Sequence, residues 1–541
     1  MTSHTTASKQ NGMSQHIPLL VVLMLGLFLA ILNQTLLNVA IPHLMTEFGV
    51  DANTIQWLST GYMLVNGVLV PLSAFLIERF GVRVLFLVAM LSFTLGSFVC
   101  GIAPSFSAML TGRLIQAVGG GVLAPLVMTI ILTIFPPESR GKGMGIFGLA
   151  MMFAPAVGPT LSGWIIEHYD WRIMFNGMVP LGSIVFIIAV FKLRNLVEPR
   201  KIKIDLLGTF ASLVGFSTLL YGVSEAGSSG WTDPIVIVNI IVGIIFISIF
   251  IVQQLRSKTP MLDFRVFKYD MFSLSTIINV LVTVAMFTGM FLLPIYLQNL
   301  RGFTALESGL LMLPGAIVML IMSPISGILF DKVGPRPLAV IGLFITAVTT
   351  YEFTQLTVNT SYDHILVLNM LRFFGMSLIS MPIMTAGINQ LPRELNNHGT
   401  AMSNTLRQIS GSLGTSFVTT IFTNRSADHY ASMANGMRTN DPAFMSSFES
   451  FAHSVAQTLN LPVEQAKQYA VSLLAGQTKL QSTIMGINDA FFWAMGFAIS
   501  GVVLSLFLRD VRKDKKVIKT KASRQEDSVI LLPGPKQAPE A

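Results

Sequence analysis

Few ionisable side chains interrupt the apolar runs of this chain, and those few mark where chemistry could sit. Arg113 lies in LTGRLIQAVGGG and Arg372 in LNMLRFFGMSL, each inside a long apolar stretch. Glu225, Glu352 and Asp489 stand near the ends of others. A charge inside hydrocarbon is expensive, so each is a functional candidate by default. A carboxylate can carry a proton if its pKa moves into the working range, and Glu352, beside Tyr351 and Gln355, is the preferred candidate. A guanidinium stays charged and acts through whatever pairs with it. Arg113 is expected to hydrogen-bond near Asn33 and to respond to proton or substrate occupancy; a static clamp on backbone carbonyls is the alternative. A ligand cavity should be mainly apolar with a few polar groups. Asn33, Gln34, Asn38, Tyr62, Asn66, Gln116, Tyr296 and Gln298 could supply them, within adaptable surface from 30 Met and 38 Phe.

The elements that must position these residues are membrane-spanning helices. The chain of 541 residues is 52% hydrophobic and 11% charged, with mean hydropathy +0.66. Soluble domains carry about 25% charged residues. A helix needs about 20 apolar residues to cross a bilayer. The pattern predicts fourteen spans: 17–43, 54–77, 84–103, 107–135, 142–166, 172–192, 206–225, 234–254, 270–298, 304–330, 337–357, 364–391, 398–422 and 487–508. Lys and Arg gather in alternate loops and in the tail after Leu508, which places both termini in the cytoplasm. The net charge of +8 is therefore topological, and no nucleic-acid partner is expected. The external stretch Thr423–Gly486 predicts one or two short amphipathic helices capping the outer face. Cys100 is the single cysteine and reads as an inert core thiol; His398 and His453 read as isolated loop residues. No Walker loop or Cys/His metal cluster occurs, so no enzyme is expected, and energy must come from an ion gradient, with no cofactor.

Two loops repeat each other. AFLIERFGVRVL (Ala74–Leu85) matches GILFDKVGPRPL (Gly327–Leu338), pairing Glu78 with Asp331, Arg79 with Lys332, Gly81 with Gly334 and Arg83 with Arg336. Arg113 and Arg372 follow at similar offsets. Two correspondences in register imply a duplicated six-helix unit, a transporter architecture with its site between the halves. The expected division is 1–16 as an N-terminal arm, 17–193 as the first bundle, 194–269 as a linker with two extra helices, 270–508 as the second bundle including 423–486, and 509–541 as a basic tail. Glu78 and Asp331 can accept hydrogen bonds from a neighbouring helix N-terminus and pair with Arg83 or Arg336. They would latch the halves together, or else serve only as helix-end salt bridges. GLAMMFAPAVGPTLSG carries Gly148, Pro155, Gly158, Pro159 and Gly163 and predicts a kinked, close-packed helix.

These motifs resemble the major facilitator superfamily, specifically its fourteen-helix drug:proton antiporter branch (EmrB/QacA type). The repeated loops resemble the signature between helices 2 and 3 and its copy; Leu110–Gly121 resembles the helix 4 signature; Gly148–Gly163 resembles the helix 5 antiporter signature. Asn33–Pro42 and Asp170-Trp171-Arg172 resemble the branch's helix 1 and helix 6 motifs. The resemblance covers about residues 15–510. It implies an all-α membrane fold of two six-helix repeats plus two inserted helices, and Gly148–Gly163 as a hinge against the second half. It further implies a proton-coupled, monomeric exporter of hydrophobic drugs in a bacterial plasma membrane, with protons and lipid as its other partners. Export of an endogenous lipid or metabolite is the alternative. One departure bears on mechanism. Asn33 stands where the branch usually has Asp, and a neutral amide carries neither a proton nor a full charge to pair with a cation.

Overall fold

The computed structural model describes residues 17–50, 52–136, 139–195, 205–257, 260–437 and 442–510. The N-terminal arm, the basic loop containing Arg200, Lys201 and Lys203, and the tail from residue 511 lie outside the described residues. With no water in a bilayer core, backbone groups must pair within their own segment, which leaves helices as the available element. Among the described residues there are helices and no strands.

The helices run in this order: α1 Ile17–Phe48, α2 Ala52–Gly101, α3 Phe106–Ile134, α4 Arg140–Gly148, a π turn Leu149–Phe153, α5 Ala154–His168, α6 Arg172–Asn176, α7 Met178–Lys192, α8 Leu206–Ser229 and α9 Pro234–Arg256. The second part holds α10 Asp270–Ile295, a π turn Tyr296–Leu300, α11 Ala305–Val333, α12 Pro335–Glu352, α13 Tyr362–Gln390, α14 Asn396–Gly436, α15 Pro442–Leu459 and α16 Val463–Ser505. Eleven helices among the described residues are long and apolar enough to cross a membrane. One of these, Trp57–Gly101, covers two expected spans. Two further expected spans fall short of that mark. The π turn splits 140–168 into short pieces, and α14 is rich in Asn, Ser, Thr and Gln.

Both repeated loops turn on glycine. Gly81 has φ 74° and ψ 168°, and Gly334 has φ 89° and ψ −178°. That region is essentially closed to residues with a Cβ. The paired conformations give the sequence repeat a shared physical cause: each loop must reverse direction within one residue between two helices.

The stretch beyond residue 422 differs from expectation. One separate helix there, α15, matches expectation, but α14 continues to Gly436 and α16 begins at Val463. At 1.5 Å per residue these extensions reach about 20 Å and about 36 Å past the expected spans. α15 lies beside α16, with Ala452, Val455 and Ala456 packed on Ala466 and Ala470. Alanine faces let these helices approach closely, so the helices build on one another. The inserted pair α8 and α9 meets through Gly215, Gly222 and Gly243. α8 rests on both halves: Tyr221 stacks on Trp57 at 5.6 Å, and Trp231, just beyond α8, donates to Thr420 at 2.8 Å.

Gly81→Ala and Gly334→Ala should each lower stability by about 1–3 kcal/mol. Gly476→Ala, where a Cβ meets open space, should be neutral or slightly stabilising. Thermal unfolding of the purified protein in detergent checks this, and equal midpoints for all three would remove the conformational argument.

Candidate functional site

Arg113 is the centre of the first half. It is 1% exposed, and among the described residues no carboxylate pairs with it. Neutral dipoles hold it instead. Its Nη1 donates to Asn33 Oδ1 at 2.7 Å and to Gln116 Oε1 at 2.9 Å, and its Nε to the Leu58 carbonyl at 3.3 Å. The guanidinium lies over the Tyr62 ring at 4.4 Å. Gln116 passes the chain on, donating to Ser97 at 2.7 Å. Four helical segments thus converge on one cation. Their closeness depends on glycine: a Cβ at Gly120 would sit 2.2 Å from the Tyr62 hydroxyl, and one at Gly96 would sit 2.5 Å from the Gln116 backbone nitrogen.

Arg372 occupies the matching place in the second half with a thinner set of partners. It is 4% exposed, donates from Nη2 to the Ala285 carbonyl, and lies 5.8 Å from the rings of both Phe353 and Phe491. Its Nε has no hydrogen-bond partner. Beside it, among Met side chains, is a cavity of about 20 Å³.

The halves meet along α4–α5 and α11. Gly141, Gly145 and Gly148 form one small-residue stripe on α4, and a Cβ on Gly145 would lie 2.8 Å from the Ser323 carbonyl. Ser323 donates to the Gly145 carbonyl at 2.8 Å. Gly309 meets Thr160 further along, so the pair touches at both ends. The break in this segment is the π turn preceding Pro155. A π turn leaves an irregular hydrogen-bond register, which accommodates the missing Pro155 N–H. Gly148 faces Ser323 of the second half. Gly158 does not: its missing Cβ admits Thr35 of α1, and Ser162, one turn on, donates to the Leu36 carbonyl at 2.6 Å. Pro159 is half-buried and Gly163 buried on the same helix.

At the basic end, the repeated loops contact the opposite half. Asp331 accepts the backbone N–H of Gly141 and of Lys142, each at 3.1 Å, which places its carboxylate on the N-terminus of α4. Glu78 lies 3.6 Å from Nε2 of His398 on α14. The expected Glu78–Arg83 pair does not form. Arg83 instead donates from its guanidinium to the Val190 carbonyl and from its backbone N–H to Asn195 Oδ1, both at 2.9 Å. The α2 bend points it at the end of α7. Arg79 lies 5.6 Å from the Phe80 ring, and Lys332 and Arg336 are exposed. At the far end, Trp171 donates to Glu47, and Arg172 pairs with Glu47 at 2.8 Å, so the Asp-Trp-Arg motif clamps α6 to α1.

Other expected residues fall elsewhere. Glu352 ends α12 with its side chain 40% exposed, 4.0 Å from His364, and so lies outside the buried core. Hydropathy alone placed it inside a span because the helix end at Phe353 has no sequence marker. Tyr296 is buried and donates to the Thr357 carbonyl at 2.6 Å; Gln298 shares its π turn, away from Arg372. Gln34 is half-buried and Asn66 buried, while the Asn38 side chain lies outside the described residues. Asp489 pairs with His429 at 2.9 Å, and Glu225 accepts from Ser229 at 2.8 Å. His398 is not an isolated loop residue: it is 7% exposed and its Nδ1 accepts the Asp263 N–H at 3.3 Å. Asn369 was also missed, although its i,i+3 spacing from Arg372 puts both on one helix face.

The architecture, two repeats meeting along glycine-rich helices around buried arginines, is that of a transporter, and the chain belongs to the major facilitator superfamily, whose family model matches residues 23–415. It is a multi-pass membrane protein. It is 67% identical over 533 residues to the "Uncharacterized MFS-type transporter YhcA" of Bacillus subtilis, covering 98% of this chain and 99% of that one. It is 37% identical over 511 residues to the "Lincomycin resistance protein LmrB" of the same organism, covering 94% and 99%. The solved structure of human MFSD10 (TETRAN) shares the fold, with TM-score 0.57 and 13% identity over 89% of this chain and 99% of that one. These relatives agree with the drug:proton antiporter branch that the motifs resemble.

Asn33→Leu removes an acceptor from a buried cation and should destabilise the protein by about 1–3 kcal/mol. Asn33→Asp keeps an acceptor and should lose less. Denaturant unfolding in detergent measures both, and an unchanged Asn33→Leu would show that Arg113 needs no partner on α1.

Proposed function

We propose that this protein exports hydrophobic drugs across a bacterial plasma membrane by alternating access, driven by the proton gradient, with both termini cytoplasmic. The observation that carries this reading is the seam between the halves. Beside apolar packing of Met and Phe side chains from both halves, it holds small residues and a few polar contacts, Gly145–Ser323, Asp331–Gly141 and Glu78–His398. Such a seam can separate and re-form. The drug-resistance name carried by LmrB supports the cargo class. The proton step fits a titratable pair that joins the halves. Glu78 on α2 and His398 on α14 face each other, with Asp263 ahead of α10 contacting His398 through its backbone, and Arg265 lying 3.9 Å from Asp263. Because His398 Nδ1 accepts a backbone N–H, its ring proton sits on Nε2, toward Glu78. A second proton on Nδ1 breaks the Asp263 bond and alters the contact between halves.

Inside-out vesicles carrying the protein should accumulate lincomycin or other hydrophobic compounds when a pH gradient is imposed, without ATP. ATP-dependent uptake insensitive to the gradient would sink the mechanism. His398→Gln and Glu78→Gln should flatten the pH dependence of uptake, whereas Glu352→Gln should keep it; the reverse pattern would return the proton to Glu352.

Gly145→Leu should abolish uptake while the protein still inserts, because the side chain has no room against Ser323 and Pro324. Normal uptake by that variant would show that the glycine seam is not needed to close.

A further inference from the structure

The cavity beside Arg372 is lined from three helices. α10 contributes Met286, Gly289 and Met290; α11 contributes Met312 and Met319; α13 contributes Asn369, Arg372, Phe373 and Met376. Five of these are methionines, whose flexible thioethers repack around different shapes. Two of its polar donors are unsatisfied: Arg372 Nε and Asn369 Nδ2 have no hydrogen-bond partner, on residues 4% and 3% exposed. Native structures seldom leave buried donors unmade. Arg113, the matching cation of the first half, shows the contrast, since its guanidinium is met by two side-chain acceptors and a carbonyl.

The neighbouring helices are shaped to admit these donors. A Cβ on Gly289 would lie 1.9 Å from Arg372 Nη1, and one on Gly315 would lie 3.0 Å from Asn369 Nδ2. Glycine on α10 and on α11 thus opens the space that each donor occupies. The Ala285 carbonyl and the two Phe rings hold the far side of the guanidinium, which leaves Nε free to act. No carboxylate lines the cavity.

We propose that this cavity binds the acceptor end of an otherwise apolar cargo, a carboxylate or an amide carbonyl, with Arg372 and Asn369 as its donors and the methionines as its apolar wall. The volume of about 20 Å³ admits an end group, which is about the room one or two waters need. The apolar remainder displaces methionine side chains. A cation is disfavoured, because it meets the Arg372 guanidinium and no carboxylate. This deepens the exporter reading above and rests on it only for the step from binding to transport.

The test uses the purified full-length protein and three probes that share a naphthyl group: naphthylacetate, naphthylacetamide and naphthylethylammonium. Equilibrium binding should favour the anion and the amide over the cation. Arg372→Met and Asn369→Leu should each weaken the anion and the amide by about tenfold or more and leave the cation unchanged. Asn369→Asp should raise cation binding. If Arg372→Met fails to fold, Asn369→Leu decides alone, since leucine keeps the branched shape of asparagine and has no donor. Unchanged binding of anion and amide in Asn369→Leu, or tightest binding of the cation by the unmodified protein, would overturn the assignment and leave the donors hydrated by water. Uptake of the same probes into vesicles separates the two readings: binding that follows the donors without transport supports the cavity and counts against the exporter.

Discussion

A positive charge buried without a counter-ion constrains everything around it. Arg113 sits where water cannot reach, and an isolated ion there would be far costlier than any single contact could offset. The structure meets it with several partial charges: two amide oxygens, one carbonyl and one aromatic face. Each comes from a different turn of helix, so all must stand within hydrogen-bond reach at once. That requirement explains why α3 is glycine-rich where it crosses α2. Without Gly120 and Gly121, Tyr62 and Asn66 could not approach, and Gly119 gives the same closeness to Ala89 and Phe93. The apolar core of this half is therefore arranged around a polar demand.

The seam between halves obeys a different logic. Lipid supplies no hydrophobic force between helices, so association rests on close packing and hydrogen bonds. Glycines on α4 against α11 give close backbone approach, and Asp331 on the α4 N-terminus adds a charge–dipole contact at one end. Both are short-ranged. A small rigid rotation removes them, and the same rotation restores them.

Much of this was legible in the sequence, for reasons specific to each element. The repeated loops could be read because a single glycine conformation recurs in both, and only glycine adopts it. The reach of Arg113 toward Asn33 could be read because few polar residues exist in the spans to receive it. Other features could not. Glu78 finds His398 through tertiary contact across the whole chain, and neither residue's surroundings announce the other. The helix end at Glu352 carries no capping residue or break. The π turn at Leu149–Phe153 looks like plain apolar helix, although the prolines after it signalled that something irregular must precede them. The extensions of α14 and α16 were read as separate short helices because polarity marks the membrane boundary, and a helix does not have to stop there.

The sign of the buried charge bears on what a gradient must do. Across a membrane negative inside, moving one elementary charge is worth about 2.3 kcal/mol per 100 mV. Expelling a cation works against that term, so a cation exporter needs incoming protons to drive it. Expelling an anion works with it. A core that presents Arg113 and Arg372, with Asn33 where a carboxylate would suit a cation, matches the second case. For such a cargo, the proposed proton step would serve to reset and time the halves, more than to supply the whole driving force. A titratable contact at the seam, such as Glu78 with His398, is then better placed than one inside the cargo cavity. On the proposed reading it would take up a proton without competing for the donors beside the cavity.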